Sequence, residues 1–184
     1  MKYKVYPDMA VFGKALGNGY AINAIIGKSE IMKYANQTFI SSTFWTERIG
    51  PTAALKTLEV MDKTKSWKKI SSYGKKVKKA WAKLSKRYNL KIYISGLNAL
   101  CSFNFASKNN LKYQTYITQE MLKKNFLASN TVYISIYHNK NILTKYIKIL
   151  DNIFKVIKDC EKNKQNINNL LEGPTKISGF SRLN

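Results

Sequence analysis

The 184-residue chain holds one histidine and two cysteines, and only three of its 32 basic residues are arginine. A lone His138 builds no histidine metal cluster. Cys101 and Cys160 lie far apart, with neither a CxxC nor a Cys/His spacing, which argues against structural zinc or a disulfide scaffold and fits a reducing compartment. All three read as structural residues. No apolar run approaches the roughly 18 residues of a membrane span and nothing leader-like opens the chain, so a cytoplasmic protein without a membrane or metal partner is expected. Acid is scarce as well: 10 carboxylates stand against 32 cations, for a formal charge of +22.

Such a charge raises the possibility of a lysine-rich nucleic-acid-binding module, because basic surfaces attract phosphate through counterion release. Phosphate recognition favours the planar fork of arginine, however, and here 29 lysines are spread along the chain in company with abundant Asn and Ile. That pattern fits compositional drift better than a binding site.

Hydrophobic periodicity predicts the elements. Met9 to Lys14 reads as a short buried strand and Ala21 to Gly27 as a second, with Gly17-Asn18-Gly19 as the turn between them. Ser29 is placed to cap a short helix through Tyr34, and Thr38 to Thr43 is β-rich. From Gly50-Pro51 onward, Ala53, Ala54, Leu55, Leu58 and Met61 recur at helical spacing. Ile70, Tyr73, Val77, Trp81, Leu84 and Tyr88 then form one apolar stripe, with lysines on the remaining faces. A stripe holding Tyr73 and Trp81 calls for burial, which favours a surface helix packed on a core over a helix lying on nucleic acid. Lys91 to Ile94 and Leu100 to Phe105 read as a strand pair. A helix from Thr115 to Lys124, a strand from Thr131 to Ile136 and a helix from Ile142 to Cys160 follow, with an irregular tail from Asn163. The order is α/β up to about residue 62, a long connecting helix over 63–90, and a small α+β domain over 91–184.

Lys14 stands apart from the other lysines. It follows the apolar run Met9-Ala10-Val11-Phe12 and sits between Gly13 and a glycine-punctuated turn. Burial at a strand end disfavours an ammonium group, and flanking glycine lets backbone and a flat ring come close; both suit a lysine that condenses with a carbonyl. On chemistry alone the signal is weak.

The stretch PDMAVFGKALGNGYAINAIIG resembles the lysine segment of the class-III pyridoxal-phosphate aminotransferases, especially the branch similar to glutamate-1-semialdehyde aminomutase. The resemblance continues through Ser41-Ser42-Thr43-Phe44-Trp45, Thr52-Ala53-Ala54-Leu55, Ser95-Gly96-Leu97 and Thr118-Gln119-Glu120-Met121-Leu122. It implies the C-terminal part of the type-I pyridoxal-phosphate-dependent transferase fold: the end of the large domain and the small domain of a homodimeric enzyme acting on small amino or keto compounds. By that resemblance Lys14 holds pyridoxal phosphate as a Schiff base and moves a proton. Thr43, assisted by Ser42, binds the cofactor phosphate across the dimer interface. A hydroxyl at a turn entering a helix is a good phosphate donor.

Two departures stand out. Trp45-Thr46-Glu47-Arg48 replaces the Ser-Gly-Asn-Pro-like sequence of the aminomutase branch, which makes a transaminase at least as good a reading. The family's acid for the pyridine nitrogen, its ring-stacking aromatic and its Gly-rich phosphate turn all precede the lysine, and only thirteen residues precede Lys14 here. Asp8 lies too near along the strand to fill that role. Arg48, Arg87 and Arg182 are the only guanidinium groups available to a substrate carboxylate, and sequence places none of them. The expectation is a chain with little or no activity alone.

Overall fold

The computed structural model describes residues 4–179. It divides into two compact units, Met1–Ser66 and Trp67–Asn184.

In the first unit, β1 (Met9–Phe12) pairs antiparallel with β2 (Ala24–Gly27), Met9 opposite Gly27 and Phe12 opposite Ala24. Between them Lys14–Leu16 makes a single 3-10 turn. α1 (Ser29–Met32) runs into a 3-10 segment over Lys33–Gln37, and α2 (Ile49–Thr64) closes the unit. Ser29 is the first residue of α1 and not its cap; Lys28 takes the cap position without a side-chain hydrogen bond. Thr38 to Thr43 forms no strand, since no strand edge pairs with it among the described residues. β1 is also not buried as expected: Val11 is 67 % and Phe12 49 % exposed. The physical reason is that the sheet has only these two strands, so neither face acquires a layer of apolar partners.

The second unit is built on α3 (Ser66–Tyr88), whose predicted stripe is met residue by residue: Val77, Trp81 and Leu84 are buried, with Ile70, Tyr73 and Tyr88 packed against the same core. The helix placed over 63–90 by periodicity therefore gives its apolar face to the second unit's core. Asn89, at φ 51°, takes the left-handed turn that ends it, and the Leu90 N–H donates to the Ser85 carbonyl at 3.0 Å. β3 (Ile92–Gly96), β4 (Leu100–Phe105) and β5 (Thr131–Tyr133) form an antiparallel sheet with β4 in the centre. On β4 the alternation Cys101, Phe103, Phe105 faces the core. α4 (Asn110–Leu122) and α5 (Lys140–Glu161) complete the unit. α5 starts cleanly because the Asn139 side chain accepts the Ile142 N–H at 3.0 Å.

The centre of this unit is aromatic. Phe103 lies 4.7 Å from Trp81, 5.6 Å from Phe105 and 5.9 Å from Phe154, ring centre to ring centre. Trp81 is fully buried, and its indole N–H donates to the Tyr146 hydroxyl at 3.0 Å, so the one polar atom it carries inward is satisfied. His138 closes a loop, its Nδ1 accepting the Ser135 N–H at 2.8 Å. Both cysteines are free and buried, and no group of three metal-binding side chains occurs among the described residues. No helix among them is long and apolar enough to cross a membrane.

Tyr146→Phe leaves the Trp81 N–H buried without an acceptor and is expected to lower unfolding stability by about 1–3 kcal/mol, read from the denaturant midpoint; an unchanged midpoint contradicts this. Burial pushes the Cys101 and Cys160 thiols up. Both are expected to resist alkylation in the native chain and to react fully in denaturant, as counted by mass spectrometry.

Candidate functional site

Lys14 adopts φ 51°, in the left-handed region that side chains other than Gly and Asn seldom enter. Asn18, Asn89, Asn125 and Asn163 share that conformation, which Asn tolerates by bonding locally, and so do Lys4 and Lys65, the latter as the C-cap of α2. A lysine there carries local strain of about 1–2 kcal/mol. The 3-10 turn that follows is closed by the Leu16 N–H donating to the Gly13 carbonyl and the Asn18 N–H donating to the Lys14 carbonyl. Gly17 sits so close beneath the Tyr20 carbonyl and the Ile22 side chain that no Cβ fits.

Contrary to the expectation of burial, Lys14 is exposed. It opens into a cavity of about 970 Å³ lined also by Ser41, Ser42, Thr43, Trp45 and Glu47. The fold thus brings the three residues singled out by sequence, Lys14, Ser42 and Thr43, to one cavity of the first unit. The rest of its wall is largely apolar, with Ile22, Ile25 and Phe44 among the lining residues.

What gathers them is the start of α2. At Gly50 an added Cβ would stand 2.8 Å from the Ala21 carbonyl oxygen and 3.3 Å from Ile22 Cβ, so the helix start lies directly on the segment that leaves the Lys14 turn. The 43–46 turn immediately before the helix is held by Glu47. Its carboxylate accepts the Ile49 N–H at 2.5 Å and the Gly50 N–H at 3.1 Å, and its own N–H donates to the Phe44 carbonyl at 3.1 Å. The Phe44 N–H in turn donates to Ser42 Oγ at 3.3 Å. Thr43 makes no hydrogen bond among the described residues, which leaves its hydroxyl and N–H available to a ligand. Sequence reasoning noted Glu47 only as a departure from a family pattern. A carboxylate placed two residues before a helix with no Ser, Thr, Asp or Asn at its cap was the signal available.

The other charged candidates lie elsewhere. Asp8 pairs with Lys28 at 2.5 Å and does not line the cavity. Arg87 belongs to the second unit, where it pairs with Asp151 at 2.7 Å. Arg48 is the exposed cap residue of α2, and Arg182 lies outside the described residues.

The fold is that of pyridoxal-phosphate-dependent transaminases. The FumI protein of a Sphingopyxis species, solved in its pyridoxal-phosphate form, superposes with a TM-score of 0.77 at 21% identity, covering 91% of this chain and 41% of that one. An S-selective transaminase from Bacillus megaterium superposes with a TM-score of 0.73 at 17% identity, covering 87% and 40%. The profile of class-III aminotransferases matches residues 1–150, and the chain belongs to that family. Among curated relatives, the 3-aminobutyryl-CoA aminotransferase of Cloacimonas acidaminovorans is 28% identical over 145 residues, covering 78% of this chain and 34% of the relative. The glutamate-1-semialdehyde 2,1-aminomutase of Methanosphaera stadtmanae is 28% identical over 140 residues, covering 72% and 33%. The chain therefore spans about a third of the length of these relatives. Class-III aminotransferases depend on pyridoxal phosphate. The residues here fit that cofactor in two respects: an amine with no carboxylate bonded to it among the described residues, and unengaged donors at Thr43 beside it in one cavity. Neither fold nor family supports the lysine-rich helix as a nucleic-acid module.

Gly50→Ala is expected to push α2 off Ala21 and destabilise the first unit by on the order of 1–3 kcal/mol. The readout is faster hydrogen exchange across residues 14–22; protection equal to that of the unaltered chain speaks against the close contact as the organising feature.

Proposed function

We propose that this chain forms the lysine-bearing, C-terminal part of a pyridoxal-phosphate-dependent aminotransferase or aminomutase, a homodimer in its complete form and cytoplasmic in setting. The observation that carries this reading is the single cavity lined by Lys14, Ser42 and Thr43, in a chain of the class-III family.

When bound, pyridoxal phosphate supplies the electron sink that amino-group transfer needs. Lys14 Nζ would hold the cofactor covalently and, as a free amine, would take up and return a proton at that nitrogen. Thr43 would donate its hydroxyl and backbone N–H to the cofactor phosphate, of the neighbouring subunit in the dimer, and Ser42 would add its hydroxyl proton while its oxygen accepts from the Phe44 N–H. Glu47 is the one carboxylate lining the cavity, and both its oxygens are committed to the start of α2. The site so formed has an amine and phosphate donors but no acid left over for the pyridine nitrogen. A substrate-specific activity for the chain by itself is accordingly not part of the proposal. The departure at Trp45-Thr46-Glu47-Arg48 favours transfer between two molecules at least as much as transfer within one.

The purified chain is expected to gain visible absorbance with pyridoxal phosphate and, after borohydride reduction, a single added mass on the peptide containing Lys14. Lys14→Ala abolishes both. A label distributed over other lysines, or one surviving in Lys14→Ala, rules the assignment out. Transamination by the chain without further polypeptide is expected to be at background.

A further inference from the structure

We propose that Glu47 is the positioning residue of this site: it fixes the turn before α2 so that Ser42 and Thr43 present their donors to a phosphate. The inference rests on the reading of those two residues as phosphate donors and extends it to a residue that touches neither amine nor phosphate.

The hydrogen bonds form one continuous chain. The first two N–H groups of α2, at Ile49 and Gly50, both donate to the Glu47 carboxylate. Glu47 donates its N–H to the Phe44 carbonyl, and Phe44 donates its N–H to Ser42 Oγ. The cap position itself, Arg48, contributes no side-chain hydrogen bond, so Glu47 substitutes for the usual capping hydroxyl from one residue further out. A negative group there is favoured by the positive end of the helix. Because the carboxylate already occupies these N–H groups, an incoming phosphate is not taken by the helix terminus and falls to the Ser42 and Thr43 donors ahead of it. Without the carboxylate, two N–H groups lose their acceptor and the turn loses its tie to the helix that rests on Ala21.

The test compares pyridoxal phosphate with pyridoxal, the same aldehyde lacking the phosphate, each titrated into the full chain and followed by absorbance. The ratio of the two affinities isolates the phosphate contacts, while pyridoxal uptake reports whether the Lys14 turn is intact. Glu47→Ala is expected to cut the affinity for pyridoxal phosphate about fivefold, the worth of a lost helix cap, and to leave pyridoxal unchanged. Glu47→Gln, with one accepting oxygen, falls between. In a background lacking both hydroxyls, Ser42→Ala with Thr43→Ala, Glu47→Ala is expected to change the ratio by clearly less than it does in the unaltered chain. Equal losses for both aldehydes, or a phosphate preference in Glu47→Ala as large as that of the unaltered chain, overturn the role of Glu47 and leave Lys14 and Thr43 in place. An unaltered chain with no preference for the phosphorylated aldehyde overturns the phosphate-donor reading, and the role of Glu47 with it.

Discussion

The first turn of α2 rests against the carbonyl of Ala21 at a distance that admits only glycine at position 50. Most of what is chemically distinctive in the first unit follows from that contact. It stacks the residues entering the helix over the residues leaving the Lys14 turn, so hydroxyls at 42 and 43 share a cavity with an amine about thirty positions earlier in the chain. Two further constraints keep the arrangement from relaxing. Lys14 is held in a left-handed conformation, and the 43–46 turn is tied by Glu47 to the helix. Each is a local cost or a local bond, and each has the effect of aiming a polar group at the same space.

The second unit obeys a different economy. Its aromatic cluster around Phe103 and Trp81 is fully enclosed, and its few inward polar atoms are bonded: Trp81 to Tyr146, Asn130 to the Phe103 carbonyl, Gln114 to Asn104 and Asn110. Of the ten acidic residues in the chain, the second unit uses Asp151 for Arg87 and Tyr88, Glu161 for Ser107 and Tyr113, and Glu120 with Glu172 for Lys123. Most of the remaining lysines among the described residues pair with no acid and stay at the surface. The positive charge therefore sits on a well-made core rather than on a recognition motif, which is what a chain-wide substitution habit produces.

Legibility followed the strength of the burial pattern. The α3 stripe could be read to the residue because six apolar positions at 3–4 spacing admit one helical face, and β4 because its alternating residues meet a closed core. The β-rich composition of Thr38 to Thr43 does not become a strand, because β-branched and aromatic residues fit a pleated surface only where a neighbouring strand offers one, and here none does among the described residues. Lys14 and Thr43 were singled out by resemblance to a family motif, and both line one cavity. Glu47 was missed because capping rules look at the cap residue, and this carboxylate reaches back from one position before it. The strain at Lys14 is invisible in sequence altogether, since nothing in Gly-Lys-Ala states which residue takes the left-handed turn.

The contrast between the units bears on how the site works. A two-stranded ribbon has marginal stability in water by itself, yet β1 and β2 carry the residues on either side of Lys14, and Val11, Phe12, Ile25 and Ile26 remain largely exposed. Side chains of that kind stabilise a fold only when something apolar lies over them. The matched segment spans about a third of each of the two curated relatives. The apolar faces lie open on the same ribbon whose turn carries Lys14, and Glu47, the carboxylate lining the cavity, is already bonded to the start of α2. Stability of the ribbon and placement of Lys14 are therefore coupled, because the turn that carries the amine is held between these strands and by the α2 contact at Gly50.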